Sequence, residues 1–357
     1  MKPAELTAAL RAAGALPAGE VIDFESRPTT AFNSDVTRLR LAYSADAPEL
    51  APRELVLKVS LKKDWATRAG AIEVSFYKQA GPRALTMIAP CYLAQQDPAT
   101  GRSVLLLLDL GATHEAPVTR RALIDGRGVP PSTRLKQVID SLADFHHAWR
   151  GRAALRTGLP GALWLDGPTA FGRFADVCRK ELNVFRHTVG ERVDEADWAA
   201  CEAVVDSLRP VWGRWLARRA GRVSHLVLAH GDCYLSNWLV PRAGNADGEA
   251  AMIDFQQAHV DTPGEDLAFM LGTFWTPAQR ATHELACLRR YHGRLDAPGY
   301  SFQAMLEDYR WGLVRMLTRT VWDHHNGSPE AYWRPKLRRV LAALRDHGVV
   351  YSPKLYA

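Results

Sequence analysis

Between His230 and Asp266 the chain repeats one device, an apolar run that ends on a polar side chain able to do chemistry. Leu226-Val227-Leu228 leads to His230-Gly231-Asp232, Leu239-Val240 leads away from Asn237, and Met252-Ile253 ends on Asp254. Short apolar runs bounded by turn residues read as strands, so Asp232 and Asn237 fall on a short loop between strands. Pro241 to Glu249, rich in Gly, Asn and Asp, reads as a hairpin turn that sends Ala251-Met252-Ile253 back beside Trp238-Leu239-Val240. Asp254 is thereby expected to return to the neighbourhood of Asp232 and Asn237.

Taken singly, His-Gly-Asp is an ordinary tight turn and Asp254 an ordinary strand-end carboxylate. In this order, two carboxylates and a carboxamide suit phosphoryl transfer. One carboxylate orients the attacking hydroxyl and accepts its proton, while hard oxygen ligands hold magnesium on the phosphates. Asp232 is the expected base, Asn237 and Asp254 the expected metal ligands, and His230 is expected to brace the loop. The pattern His230-Gly231-Asp232, Asn237, Ile253-Asp254, Asp266-Leu267-Ala268 resembles the aminoglycoside phosphotransferase and choline kinase-like family, relatives of the protein kinases. Glu73-Val74-Ser75-Phe76-Tyr77 and Leu108-Asp109-Leu110 are similar to segments of its ecdysteroid kinase-like branch, and the resemblance runs over most of the chain. It implies a two-lobed, protein kinase-like α+β fold, ATP with Mg2+ as phosphate donor, and a small-molecule hydroxyl as acceptor. Asp266 is expected to cap its helix and to steady the catalytic loop.

The first third of the chain supplies the remaining pieces. Val21 to Phe24 and Thr37 to Tyr43 read as strands, and the segment between them, Pro28 to Asp35, lies where kinases keep a glycine-rich loop. It has no glycine here, but the backbone of Asn33, Ser34 and Asp35 and the Ser34 hydroxyl are able to approach a phosphate. Glu54 to Val59 alternates, so Val56 and Lys58 share one strand face. A helix follows from Asp64 to the Gly81-Pro82 breaker, with Trp65, Ala69, Ile72 and Phe76 as its packing stripe and Glu73 on the flank, in reach of Lys58. A Lys-Glu pair is the kinase device for holding the ammonium against the donor phosphates. By resemblance, Val56 joins the adenine roof, and the backbone of Leu107 to Leu110, with Leu108 and Leu110 as contacts, meets the adenine edge. The expected division is residues 1–110 for the strand-rich lobe and 111–357 for the helical one.

In the second part, Ser132 to Trp149 carries the stripe Leu135, Val138, Ile139, Leu142, Phe145 and Trp149, with Ser132 or Thr133 as cap. Adjacent histidines point about 100° apart on a helix, so His146-His147 and His324-His325 are read as surface or core residues and not metal ligands. Further helices are expected over 171–190, 195–219, 267–275, 279–294, 301–324 and 330–347. The basic run Arg334 to Arg339 is expected to form a solvated helix face.

With 47% hydrophobic and 24% charged residues the chain has a globular composition, and its net charge of +6 is spread along it, which argues against nucleic-acid binding. Five widely separated cysteines without a Cys-x-x-Cys pair point to a reducing compartment. No signal-peptide core or membrane span is seen, and the protein is expected in the cytoplasm. Gly-x-Ser-x-Gly, Gly-x-Gly-x-x-Gly, Walker and His-Glu-x-x-His motifs are missing, so hydrolase, dehydrogenase, P-loop and zincin readings lack support. The expected acceptor is a bulky apolar or aromatic alcohol, because the helical part carries Trp164, Phe171, Phe174, Phe185, Trp275, Trp311 and Trp322. The alternatives are an aminoglycoside phosphotransferase and a non-catalytic nucleotide- or ligand-binding module.

Overall fold

The computed structural model of the chain describes residues 1–29, 34–80, 86–151, 158–243 and 248–349, without the side chain of Arg214. Asn33, the Gly81-Pro82 breaker and the tip of the 241–249 turn lie outside the described residues. The chain forms two compact units, Met1–Glu115 with Leu239–Ala258, and Ala116–Trp238 with His259–Ala357.

The first unit is built on an antiparallel sheet of β1 (Val21–Thr29), β2 (Ser34–Tyr43), β3 (Glu54–Ser60), β4 (Cys91–Gln96) and β5 (Ser103–Leu108), in the order β1-β2-β3-β5-β4. Helix α1 (Pro3–Ala12) has proline in its first turn and a Glu5 carboxylate that accepts from the Lys2 backbone N–H at 2.6 Å. It lays Leu6 and Leu10 against Val21, Leu39, Leu41, Leu55 and Leu106, the apolar face of the sheet. Of the expected loop from Pro28 to Asp35 only the flanks are described, and they are strand: Pro28 pairs with Thr37, Thr29 with Val36, and Ser34 with Ser60, while residues 30–33 lie outside the described residues.

Helix α2 (Asp64–Ala80) buries Ala66, Ala69, Gly70, Glu73, Val74, Phe76, Tyr77 and Ala80. Trp65, at 40% exposure, is off the packing face and Glu73, at 1%, is on it, the reverse of the sequence expectation. An apolar-only stripe misplaces the helix by part of a turn, because the buried carboxylate has a cationic partner and the face tolerates it. Gly70 lets α2 approach the sheet, since a Cβ there would lie 2.2 Å from the Ser103 hydroxyl. Strands β6 (His114–Glu115), β8 (Trp238–Pro241) and β9 (Ala251–Met252) form a second, three-stranded sheet, the hairpin expected from the 241–249 turn.

The second unit is mainly helical. It comprises α3 (Arg120–Ile124), α4 (Ser132–Ala148), α5 (Pro168–Val189), α6 (Glu195–Val211), α7 (Ala217–Ala220), α8 (Gly264–Leu267), α9 (Pro277–Leu295), α10 (Phe302–His325) and α11 (Glu330–Asp346), with one two-stranded pair, β7 (Val227–Ala229) and β10 (His259–Asp261). The stripe expected on α4 is buried throughout, although the cap position is Pro131 and not Ser132. The helix expected over 195–219 is interrupted by a π turn at Trp212–Leu216, two residues after Pro210, which cannot donate to the helical ladder. Helices α8 and α10 meet at paired glycines: a Cβ on Gly264 would lie 2.0 Å from the Asp308 carbonyl oxygen, and one on Gly312 2.2 Å from that of Gly264.

The run Arg334 to Arg339 is only partly a solvated face: Arg338 is exposed and Arg334 half-buried, but Lys336 and Arg339 are buried. Lys336 is 1% exposed and donates to Asp323 at 2.6 Å, and Arg339 donates to the carbonyls of Leu123 and Ile124. The counter-charge and the carbonyls sit on distant segments, so local charge density misreads the face. No helix among the described residues is long and apolar enough to cross a membrane, and all five cysteines are free thiols.

Candidate functional site

In the first unit the Lys58 ammonium lies 2.8 Å from a Glu73 carboxylate oxygen and 2.7 Å from Asp254 Oδ1. Three elements make this pairing: β3 carries Lys58, α2 carries Glu73, and the segment after β9 carries Asp254. Phe76, one turn along α2 from Glu73, stacks on Phe255 with ring centroids 3.7 Å apart, which anchors the residue next to Asp254. Asp254 adopts φ 71°, left-handed backbone that non-glycine residues seldom take and that marks sites where surrounding structure holds a residue in place. Burial opposes the Lys58 charge, but Asp254 and Glu73 outweigh it and hold the ammonium protonated well above its ordinary range. Burial pushes the Glu73 carboxyl upward, against the pull of Lys58.

The other first-unit residues expected at a nucleotide site fall in the same unit. The Ser34 hydroxyl is buried and accepts from Gln256 Nε2 at 3.1 Å, so the start of β2 is tied to the residue two beyond Asp254. Val56 is half-buried on β3, paired with Arg38 and Leu107. Leu108 ends β5, and Leu110 opens a 3₁₀ turn whose Gly111 N–H donates to Asp109 Oδ1 at 2.8 Å.

In the second unit His230, Asp232 and Asn237 share one loop after β7. The Asp232 carboxylate accepts from Arg319 at 2.9 Å through Oδ1 and from the Asn237 side-chain amide at 3.2 Å through Oδ2. The same amide donates to the Asp232 carbonyl at 3.0 Å, which leaves the Asn237 side-chain oxygen for a cation. His230 Nδ1 accepts from the Asp232 N–H at 3.2 Å, a brace across the turn. Arg319 lies over the Phe269 ring at 4.6 Å, Lys336 over the same ring at 5.2 Å, and Tyr234 and Phe274 pack beside it with tilted rings.

Asp266 does not cap its helix. It lies inside α8, fully buried, where its carboxylate accepts from the backbone N–H of His230 at 2.7 Å and of Gly231 at 2.9 Å. His146 Nε2 stands 3.1 Å from the same carboxylate and its Nδ1 2.6 Å from the Tyr291 hydroxyl. Nε2–H therefore donates to Asp266, and Tyr291 donates to Nδ1. Sequence reasoning set His146 aside as a surface or core histidine and missed both Tyr291 and Arg319. The signal for His146 was its place four residues after Leu142, on the buried stripe; Arg319 and Tyr291 carry none.

Burial opposes the Asp266 charge, but hydrogen bonding from His146 and the backbone holds its carboxyl below the ordinary range. A depressed folded-state value stabilises the fold above the unfolded value, and that contribution is lost as pH falls through the folded one. Asp266→Asn is expected to lose about 1.5–3 kcal/mol at neutral pH. Its stability should also fall less steeply than wild type below about pH 4. Denaturant titrations at several pH values check this, and parallel acid limbs would remove Asp266 from its bracing role.

Of the aromatic residues expected to line an acceptor pocket, Trp164, Phe171, Phe185, Trp275 and Trp311 are packed in the core, and Trp322 is 47% exposed. Phe174 is partly covered by Arg315, 4.8 Å above its ring. A cluster of Tyr234, Phe269, Phe274 and Tyr332 is instead linked to Asp232 through Arg319, which pairs with Asp232 and lies over the Phe269 ring. Helical spacing identifies apolar faces but does not say which face meets the core.

Residues 30–298 match the model of the ecdysteroid kinase-like family. An aminoglycoside phosphotransferase solved with GDP and kanamycin is similar in fold, with a TM-score of 0.52 at 13% identity over 98% of this chain and 99% of that one. A second, aminoglycoside 2'-phosphotransferase-IIIa in its GDP complex, has a TM-score of 0.53 at 13% identity over 96% and 99%. An ethanolamine kinase from Plasmodium vivax has a TM-score of 0.50 at 11% identity over 91% and 83%. No curated protein sequence matches the chain.

Proposed function

The chain belongs to the ecdysteroid kinase-like family, with a protein kinase-like α+β fold, and from that premise we propose that it transfers the γ-phosphoryl group of ATP to a hydroxyl of a small molecule. The observation that carries this reading is the Lys58 ammonium held between Glu73 and Asp254, the latter 196 residues away in sequence. A buried lysine fixed by a helix carboxylate is the arrangement phosphoryl transfer uses to hold donor phosphates.

Each residue then has a task. Lys58 binds the donor phosphates while Glu73 fixes its position, and the Ser34 end of β2 and the backbone from Leu108 to Leu110 border the nucleotide beside Val56. Asp254 in the first unit, with a side chain 35% exposed, and Asn237 in the second, with its oxygen left over, each offer a hard-oxygen donor of the kind Mg2+ takes. Held by such donors, Mg2+ would neutralise charge on the phosphates. Asp232 orients the acceptor hydroxyl and takes its proton.

For the acceptor we favour a bulky apolar or aromatic alcohol over an aminoglycoside. Kanamycin occupies one of the similar structures, but a polycation needs converging carboxylates. Asp232 is instead accompanied by Arg319, with Lys336 close enough to feel its charge, and Arg319 lies over Phe269 in a cluster of four aromatic rings. A screen of hydroxylated compounds for ATP- and Mg2+-dependent ADP release tests this. The expected result is turnover with steroid-like or aromatic alcohols and none with kanamycin. ADP release driven by kanamycin alone would overturn the acceptor class. No thermal shift at saturating ATP and Mg2+ would overturn the phosphotransferase reading itself.

A further inference from the structure

Outside the residues assigned above, the second unit holds a compact group of three potential metal ligands, His259, Asp261 and Glu265. Their ligating atoms all lie within 4.8 Å of one another. His259 Nε2 is 3.6 Å from Asp261 Oδ2 and 3.5 Å from Glu265 Oε2. These separations exceed the usual hydrogen-bond range of about 2.7–3.2 Å. They match the spacing of about 3.4 Å between ligand atoms that each lie about 2.0–2.1 Å from a tetrahedral zinc ion.

The two carboxylates are buried, at 0% and 3% exposure, yet Asp261 Oδ2 and Glu265 Oε2 have no hydrogen-bond partner among the described residues. Buried carboxylate oxygens are ordinarily paired, because leaving one unsatisfied incurs its full desolvation penalty. The rest of the cluster is organised to aim them. Asp261 Oδ1 is occupied by the Trp164 indole N–H at 3.1 Å and the Thr262 N–H at 2.6 Å, which turns Oδ2 toward His259. Glu265 sits in α8, locked against α10 by the glycine contact at Gly264. His259, with a side chain 15% exposed, gives the cluster a solvent edge.

From this geometry we propose that His259, Asp261 and Glu265 bind one divalent zinc ion, with one coordination position left for water. One imidazole and two carboxylates suit zinc, and none of the three belongs to the set proposed for magnesium. The competing cation is Arg315, whose Nε lies 3.7 Å from Glu265 Oε2 and has no hydrogen-bond partner of its own among the described residues; Arg319 also acts on Glu265 at longer range. The ion would join β10 to α8 across the turn that precedes Asp266.

Without metal, burial works against a charge on His259, but Glu265 and Asp261 hold the imidazole protonated well above its ordinary range. Burial raises Asp261 to about 7. The thiols are weak competitors, since burial raises Cys91, Cys178, Cys201 and Cys287 to about 12 and Cys233 well above its ordinary value.

The test is calorimetric titration of ZnCl2 into chelator-treated protein free of nucleotide and magnesium, for wild type, His259→Ala and Arg315→Met, each checked for folding by circular dichroism. The expected result is one equivalent bound by wild type, with affinity reduced more than about 100-fold by His259→Ala and increased by Arg315→Met. A zinc ligand set predicts that gain, whereas a purely structural ion cluster does not. Cobalt provides a second readout, with visible absorption in wild type and none in His259→Ala. Zinc binding that is absent, or unchanged by His259→Ala, overturns the site.

Discussion

Replacing Asp232 by Asn should lower kcat by about 10² to 10⁴, a barrier increase of about 2.7–5.5 kcal/mol, while ATP affinity stays close to wild type. The carboxylate accepts from Arg319 with one oxygen and from Asn237 with the other. The amide of Asn presents one acceptor and one donor, so it cannot satisfy both neighbours and cannot take a proton from an acceptor hydroxyl. The loop itself should hold, because its backbone is fixed by Asp266 and not by the Asp232 side chain. Single-turnover rates with the acceptor found by the screen, beside nucleotide titration by calorimetry, separate the two effects. Full activity in the variant would remove Asp232 from its role as base.

Lys58→Met is expected to abolish detectable turnover and to destabilise the first unit by about 3–5 kcal/mol, because it strands Glu73 as a buried charge. Asp254 contributes less to that loss, since its side chain is 35% exposed and water can replace the lysine. The sign with pH is distinctive. Burial already raises the Glu73 carboxyl, and removing Lys58 removes the main opposing influence. The variant should therefore be most stable below the unfolded-state value of about 4.3 and lose stability as pH rises through the higher folded value. The double replacement Lys58→Met with Glu73→Leu should recover most of the stability and none of the activity. Denaturation monitored across pH, with ADP release in parallel, checks both. A Lys58→Met protein as stable as wild type at neutral pH would mean that the pair contributes little to holding α2 on the sheet.

Much of the candidate site was legible because its signals are local. Apolar runs ending on His230-Gly231-Asp232, Asn237 and Asp254 need only strand alternation and turn chemistry to be read, and Lys58 follows from the alternation of β3. The family match over residues 30–298 and the fold similarity agree with the resemblance those residues carry. Errors arose where burial depends on a partner elsewhere in the chain. Glu73 was set on a flank because a carboxylate is not expected on a packing face, and Lys336 and Arg339 were set in solvent because charge runs usually are. The aromatic set failed for the converse reason: tryptophans identify a helix face worth burying, and the core took most of them.

The order of the main elements around the candidate site and the chemical identity of its polar groups were determined by the sequence alone, since each depends on neighbours within a few residues. Only the tertiary structure decided what holds those groups in place. Arg319 reaches Asp232 across 87 positions, His146 reaches Asp266 across 120, and Tyr291 reaches His146 across 145. Local periodicity carries no information at such separations. A buried polar side chain must find its hydrogen-bond partner wherever the packed helices bring one, and that choice is made by the fold as a whole.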